Sequence, residues 1–531
     1  MITKLTISNY KLFRSFAFDC NPDLNILVGD NESGKSTLIE ALNLALTRRL
    51  NGRSLDTELT PHLFNKACCD EYVEQIQAGA NPDLPSILIE LYFQDDPTLT
   101  SLKGINNLDR LDCPGIRLAI TFDDNYRPDY EALLLDRSRI RTVPVEFYKV
   151  TWFSFANAAL TPRGIPLRAS FIDATTLRLQ SGADYYLQNI INDGLEPKDR
   201  VGLSLAYRHL KELFGDEPAI RAINDKLGAA PGQLASGTLK LSVDLSPRGA
   251  WETNLIPHLD DIPFHFLGKG QQNSLKILLA LVRHASTSQI VLIEEPENHL
   301  SFSSMHVLLQ RIKEQCSGKQ IFVTTHSAFV SNKLGLDRVA LLFRQRTTSL
   351  ARLPADTRDY FIKLPGYNTL RLILAKRSIL VEGPSDDLVI QRAYFKAHGK
   401  QPIEDGVDVI SVGGLSFARF LDIAKELAVP TIVVTDNDGD YATHVEAKYA
   451  PYVGQPHITI CADQDDSKPT LEDHMLAQND RTHLNTIFGT SYATDAKLLK
   501  YMKSNKTDWA LKVLSSAEDV TFPAYVTTAV A

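Results

Sequence analysis

The chain has no apolar run approaching the length of a bilayer-spanning helix, which needs about 20 such residues. Its opening Met1-Ile-Thr-Lys-Leu-Thr-Ile7 alternates like a strand and lacks the apolar core of a signal peptide. No membrane partner is expected. Cysteine is scarce: Cys20, Cys68, Cys69, Cys113, Cys316 and Cys461 form neither a C-x-x-C pair nor a zinc spacing. That argues against a disulfide scaffold or zinc module and points to a reduced, cytoplasmic setting. Basic residues are in deficit, with 56 Lys+Arg against 64 Asp+Glu and a net charge of −8. The deficit is local, because residues 376–531 hold 15 Lys+Arg and 22 Asp+Glu and so carry −7 of it. Bound cations neutralise clustered acids of this kind, so DNA is not excluded as a partner.

What is present reads as globular. With 531 residues, 44% of them hydrophobic and 23% charged, the chain is expected to fold as two or three domains.

The first chemistry lies at Asn25-Ile-Leu-Val-Gly-Asp-Asn-Glu-Ser-Gly-Lys-Ser-Thr37. An apolar strand runs into Gly29, and Gly34-Lys35-Ser36 completes G-x-x-x-x-G-K-[ST]. Leu38, Ile39, Ala41, Leu42 and Leu44 follow at helical spacing. Gly29 and Gly34 let the backbone curl, so that N–H groups of Asn31, Glu32, Ser33 and Thr37 face a polyphosphate. The helix N-terminus adds positive dipole. Lys35 is expected on the outer phosphates and Ser36 on Mg²⁺. ATP is the expected ligand.

Beyond this loop, residues 86–93, 115–122, 147–153 and 168–173 alternate like strands and suggest a β-rich layer. From Ala174 to Gly228 the pattern turns helical (Tyr185, Leu187, Ile190, Ile191, then Leu203, Leu205, Leu210, Leu213) until Ala229-Ala-Pro-Gly232 breaks it. Such an insertion is either a packed core element or an exposed dimer arm. Leu267-Gly-Lys-Gly-Gln-Gln272 is a Gly-rich turn expected to open a helix over Asn273–Arg283. Next, Gln289-Ile-Val-Leu-Ile-Glu-Glu-Pro296 is a buried strand ending in two carboxylates, where open α/β sheets place ligands. Glu294 is expected to hold Mg²⁺ and Glu295 to orient or deprotonate the attacking water. A further strand, Gln320–Thr324, delivers His326 to the same edge to sense the γ-phosphate.

These motifs in this order resemble the ATPase head of the ABC/SMC/RecF-type superfamily. The resemblance implies that Gly268, Gly270 and Gln271 complete the nucleotide site of a second head, hence a homo-oligomer of at least two copies and up to a tetramer. Lys269 departs from the usual Ser-Gly-Gly-Gln turn. Gln94, at a strand end, is the candidate for the family's Q-loop.

A second chemistry follows Arg377. Ser378-Ile-Leu-Val-Glu-Gly-Pro-Ser-Asp-Asp387 is a strand delivering Glu382 to a glycine turn with Asp386 beyond it, and Pro430-Thr-Ile-Val-Val-Thr-Asp-Asn-Asp438 ends in Asp436-x-Asp438. With Val407–Ser411 between them the order is βαβαβ, a small parallel sheet, and Glu382, Asp386, Asp436 and Asp438 converge at one edge. Carboxylates brought together repel unless protonated or metal-bound, and oxygen-only ligands select Mg²⁺ or Mn²⁺. Val381-Glu-Gly383 with Asp436-x-Asp438 resembles the Toprim domain of topoisomerases, primases and related nucleases. Downstream, Lys497, Lys500, Lys503 and Lys506 recur every three residues over an expected helix Ala496–Lys512. They form either a solvated stripe or a phosphate-tracking face.

An ABC-type head with a helical insertion followed by Toprim resembles the OLD family of ATP-dependent endonucleases, of which the Gabija nuclease is one. The fold class implied is α/β. The expected ranges are an ATPase part over 1–173 and 233–375, an inserted and dimerising segment over 174–232, and Toprim over 376–531. The resemblance makes Glu382, Asp386, Asp436, Asp438 and Glu472 metal-binding acids and Lys506 a catalytic lysine. It implies metal-dependent nicking or cleavage of DNA, and for some relatives antiphage defence with a partner protein of the same operon. The competing class is an ATP-operated DNA clamp or sensor that does not cut.

Overall fold

The computed structural model describes the chain outside residues 162–163, 174–178, 181–182, 185–194, 229–239, 244–255, 284–288, 316–317, 344–345, 366–367 and 414–416. Two compact units are present, one of residues 1–25 with 34–325 and one of 26–33 with 326–531.

The chain begins with β1 (Ile2–Tyr10), β2 (Phe13–Asp19) and β3 (Leu24–Gly29), and α1 (Lys35–Thr47) follows the glycine loop. In the first unit β1 pairs antiparallel with β2 and with β4 (Ile87–Phe93); β5 (Cys113–Phe122) and β6 (Tyr148–Ser154) extend the layer. Ile116, Leu118 and Ile120 of β5 are buried while Arg117 and Ala119 face outward. That alternation covers one side of an antiparallel sheet.

The fourth expected strand does not join this layer. β7 (Ala169–Asp173) pairs in parallel with β8 (Ile290–Glu294), which pairs in parallel with β9 (Gln320–Thr324). Val291, Leu292, Ile293, Ile321, Phe322 and Val323 are all fully buried, as parallel strands covered on both faces require. Helix α1 packs against all three strands, and α2 (Lys269–Arg283) packs against β7. The Gly-rich turn is therefore not a loop preceding a helix at Asn273, because Lys269 to Gln272 form the helix's first turn.

Within the inserted segment, helices span Pro197–Asp216 and Pro218–Gly228. Leu179–Gln180 and Ala183–Asp184, expected to be helical, form a short antiparallel pair. Tyr185, Leu187, Ile190, Ile191 and the break Ala229–Gly232 lie outside the described residues. Leu205, Leu210 and Leu213 are at least half exposed, so these helices are no buried core of the described chain.

In the second unit β3 pairs in parallel with Val339–Phe343, whose other edge carries Arg346–Ser349 antiparallel. Residues 377–531 build a four-stranded parallel sheet. Its strands are β10 (Arg377–Val381), β11 (Val407–Ser411), β12 (Thr431–Val434) and β13 (Ile458–Cys461), in the order β11-β10-β12-β13. The fourth strand adds to the expected βαβαβ. Helix α3 (Pro384–His398) follows β10, and α4 (Leu471–Gln478), α5 (Asp495–Ser504), α6 (Lys506–Ser515) and α7 (Ala524–Val530) close the core. Ile379, Val381, Val434, Met475, Trp509 and Val526 belong to one buried cluster. The expected single helix over Ala496–Lys512 is two. Asn505 leaves the helical region (φ −131°), its N–H donating to Tyr501 O and Met502 O, and Lys506 starts a new helix. The lysine stripe is thus not one continuous helical face.

Candidate functional site

Strand β10 ends on the apolar run Ile379-Leu-Val381, fully buried, and the next residue is Glu382. Gly383-Pro384 then starts α3, with Asp386 in its first turn accepting the Gly383 N–H at 2.9 Å. On the neighbouring strand, β12 runs through Thr435 into Asp436. The loop beyond is pinned by Asn437, whose side chain donates to Asp463 O (3.1 Å) and Asp465 O (3.0 Å) and accepts the Gly439 N–H (2.9 Å). Because β10 and β12 are parallel neighbours, their acids meet at one sheet edge.

A small recess opens there, lined among others by Glu382, Asp386, Asp436, Val389, Leu471 and Tyr525. Asp438 is not in its lining. It sits exposed in the turn beyond, at φ 50°, its N–H donating to Pro469 O (3.1 Å). Glu472, in the first turn of α4, is not in the lining either, but its charge reaches Asp386 and Asp436. It is buried, and its Oε2 has no hydrogen-bond partner. Lys506, the first residue of α6, stands with Nζ 3.9 Å from Glu472 Oε1. Lys503 instead pairs with Asp473 at 2.8 Å.

The electrostatics follow from this crowding. Burial, with the charges of Glu382 and Glu472, pushes Asp386 up to about 6, against the Gly383 N–H that favours its anion. Burial, then Asp386, Glu382 and Glu472, holds Asp436 well above the ordinary carboxylate range. Burial works against the Lys506 ammonium, but Glu472, Asp436, Asp386 and Glu382 outweigh it and raise its pKa. Full ionisation of these acids requires compensating positive charge. All-oxygen donors and the orphaned Glu472 oxygen suit a hard divalent cation. As the side chains stand, no three His, Cys, Asp or Glu among the described residues close tightly enough to ligate one ion.

Tyr525, which motif reading missed, reaches this recess from α7, as does Val526. Only tertiary packing relates them to Glu382, and no local sequence signal marks them.

The halves of the glycine loop fall in different units. In the second, a Cβ on Gly29 would lie 2.6 Å from Leu342 O, so only glycine fits. Ser33 N–H donates to Asp30 O (3.2 Å), Glu32 adopts φ 65°, and Asn31 and Glu32 are exposed. In the first, Gly34 takes φ 101°, where a Cβ would meet Phe13 at 2.6 Å. Lys35 is buried at the start of α1, Ser36 is exposed and Thr37 half-buried.

At the end of β8, Glu294 is followed by Glu295 at φ 44°. Glu295 N–H donates to Thr324 O (3.1 Å), and its Oε2 accepts the Asn298 side chain at 2.7 Å. The α2 turn grips the same loop from within the chain: Asn273 donates to Asn298 O at 2.9 Å, and a Cβ on Gly270 would lie 2.3 Å from His299 O. Gln271 beside them is exposed, and Gly268 precedes α2. His326 is exposed past β9. Gln94 is exposed at the end of β4, in the antiparallel layer, its backbone N–H donating to Met1 O (2.8 Å).

Comparison with known proteins shows what the chain is similar to. The model described as "Overcoming lysogenization defect protein-like, TOPRIM domain" matches residues 373–438, and AAA-domain models match residues 4–82 and 129–332. The chain is 21% identical to Endonuclease GajA of Bacillus cereus (strain VD045) over 476 residues, 82% of this chain and 75% of that protein. It is 22% identical to an ATP/GTP phosphatase of Helicobacter pylori over 347 residues, 62% of this chain and 85% of that one. Among solved structures, the C-terminal region of the Xanthomonas campestris pv. campestris OLD protein matches at 17% identity and TM-score 0.25, covering 30% of this chain and 92% of that one. The chain is thus similar to AAA-domain ATPases over residues 4–82 and 129–332 and to the OLD-like Toprim domain over residues 373–438.

Proposed function

We propose that this protein binds and hydrolyses ATP and is a divalent-metal-dependent DNA endonuclease. The observation that carries the reading is the meeting of Glu382, Asp386, Asp436, Glu472 and Lys506 at one edge of the 377–531 sheet. In this reading the four acids hold Mg²⁺ or Mn²⁺, joined by Asp438 from the exposed turn. The cation supplies an activated water and charge neutralisation at the scissile phosphate. Lys506, anchored beside Glu472, stabilises negative charge developing on that phosphate.

The glycine loop, with Lys35 and Ser36, binds the triphosphate. Glu294 assists the Mg²⁺, Glu295 activates water and His326 senses the γ-phosphate. Gly268, Gly270 and Gln271 complete the site of a second copy, so the active form is a homo-oligomer. In this reading residues 1–173 with 233–375 serve ATP, 174–232 assembly and 376–531 DNA. Similarity to a protein named an endonuclease, which spans most of both chains, supports the cutting activity. A cytoplasmic role in antiphage defence, with a partner protein, belongs to the same proposal; no described helix is long and apolar enough to cross a membrane.

The test is supercoiled plasmid incubated with purified protein while Mg²⁺, Mn²⁺ and ATP are varied separately. Nicked or linear product that requires metal is expected. Intact plasmid under every condition, with DNA still bound, would install the clamp reading instead.

A further inference from the structure

The recess at the acids has a second wall. It comes from α7, which places Tyr525 and Val526 opposite Glu382, Asp386 and Asp436. Val526 is apolar, as the core behind it requires. Tyr525 is different, because its ring belongs to the core while its hydroxyl lies among the charges of Asp436, Asp386, Asp463 and Glu472. The side chain is 7% exposed, and the ring packs edge-on against His474 at 5.4 Å. Among the described residues its hydroxyl takes no hydrogen-bond partner. Thr435, the other hydroxyl of the lining, is already engaged with Asp436 O at 3.4 Å.

The complement of that hydroxyl follows from what surrounds it. A neutral phenol donates one hydrogen bond. The carboxylates nearby are acceptors that bound cations would claim. A phosphodiester brought in by those cations carries non-bridging oxygens, which are charged acceptors matched to a neutral donor.

We propose that Tyr525 contacts the DNA phosphate held at the Toprim cations, donating a hydrogen bond to one non-bridging oxygen. The assignment rests on the endonuclease reading and deepens it. It makes α7 part of the active site and gives Tyr525 a role that no metal ligand fills. Phenylalanine would preserve the core packing and the contact with His474 while removing only the donor.

The experiment compares wild type with Tyr525→Phe by three readouts. Calorimetric Mn²⁺ binding should be unchanged, since a phenol is not among the cation's ligands here. Affinity for a short duplex in Ca²⁺ should fall several-fold, and the nicking rate by about 10-fold or more, as for loss of one preorganised donor. The third readout is phosphorothioate at the scissile position. The diastereomer that places sulfur, a poor acceptor, against Tyr525 should slow the wild type and have much less effect on Tyr525→Phe. Wild-type behaviour of Tyr525→Phe in binding, nicking and sulfur sensitivity overturns the assignment. Loss of Mn²⁺ binding or a collapsed melting temperature overturns it too, since the phenol would then be structural. If wild type itself neither binds Mn²⁺ nor nicks DNA, the endonuclease reading fails first and removes this assignment with it.

Discussion

The Lys506 ammonium stands 3.9 Å from Oε1 of Glu472, a carboxylate only 2% exposed whose other oxygen has no hydrogen-bond partner. The lysine is half exposed, so it faces both the acids and solvent, where a DNA phosphate would enter. It cannot ligate a cation. Lys506→Ala should therefore slow plasmid nicking by roughly 100-fold, the scale of losing one charge-stabilising group. Mn²⁺ affinity measured by calorimetry should be retained or improved. Loss of Mn²⁺ binding in this variant would show that Lys506 holds the site's shape.

Asp436 is the acid at the end of the central strand pair, and water replaces such a ligand poorly. Asp436→Ala should eliminate nicking. ATP turnover by the same preparation should largely survive, because the Lys35 loop and Glu295 lie outside the 377–531 sheet. Undiminished nicking would make the acids structural and favour the clamp.

Stability should report the acid crowding without any substrate. Burial pushes Asp386 up to about 6 from an ordinary 3.8. A carboxyl raised on folding favours the fold while protonated. Its contribution is complete below the unfolded value and is lost as pH rises through the folded one. The metal-free melting temperature should therefore fall between about pH 4 and 6 by roughly 2–6 °C, and Asp386→Asn should flatten the decline. Mg²⁺ added at neutral pH should restore the loss. A metal-free melting curve that rises across that window in wild type would contradict the crowding.

At the nucleotide end, Lys35→Ala should abolish ATP binding, and Glu295→Gln should bind ATP without turning it over, since an amide is no base. Asn298 holds Glu295 by a 2.7 Å hydrogen bond. Asn298→Ala should lower kcat for ATP by about 10-fold with little change in KM, as expected when a catalytic base loses its orientation. Steady-state phosphate release checks turnover in all three, and equilibrium nucleotide titration checks binding in the first two. Normal turnover by Glu295→Gln would reassign the two carboxylates.

Gly270 is a packing requirement inside one chain. A Cβ there would lie 2.3 Å from His299 O, on the loop that follows Glu295. Gly270→Ala should impair ATP turnover even where sedimentation shows an unchanged oligomer, and cost about 1–3 kcal/mol of stability. A variant normal in both would mean that the loop yields freely.

The local structure around the candidate residues was legible in the sequence because it is written over a few consecutive residues. The glycine spacing from Gly29 to Lys35, the apolar run into Glu294 and the strands ending at Glu382 and Asp436 each combine a buried strand with a turn. Burial on parallel strands demands those runs, and the turn chemistry fixes their ends. What tertiary structure decided is which ends meet. The strand Ala169–Asp173 reads the same in either sheet, and only the pairing with Ile290–Glu294 places it. Ile458–Cys461 is four residues long and alternates weakly, yet the parallel edge of Thr431–Val434 recruits it. Asn505 ends one helix and frees Lys506 to begin another, which a three-residue lysine repeat cannot reveal. Asp438 matches the D-x-D pattern but stays outside the recess, because at φ 50° its N–H is held to Pro469 O. Tyr525 carries no motif at all. Its place opposite Asp436 follows from packing α7 against the sheet, a contact between residues far apart in the chain, and side-chain burial is set by the whole core and not by neighbours in sequence.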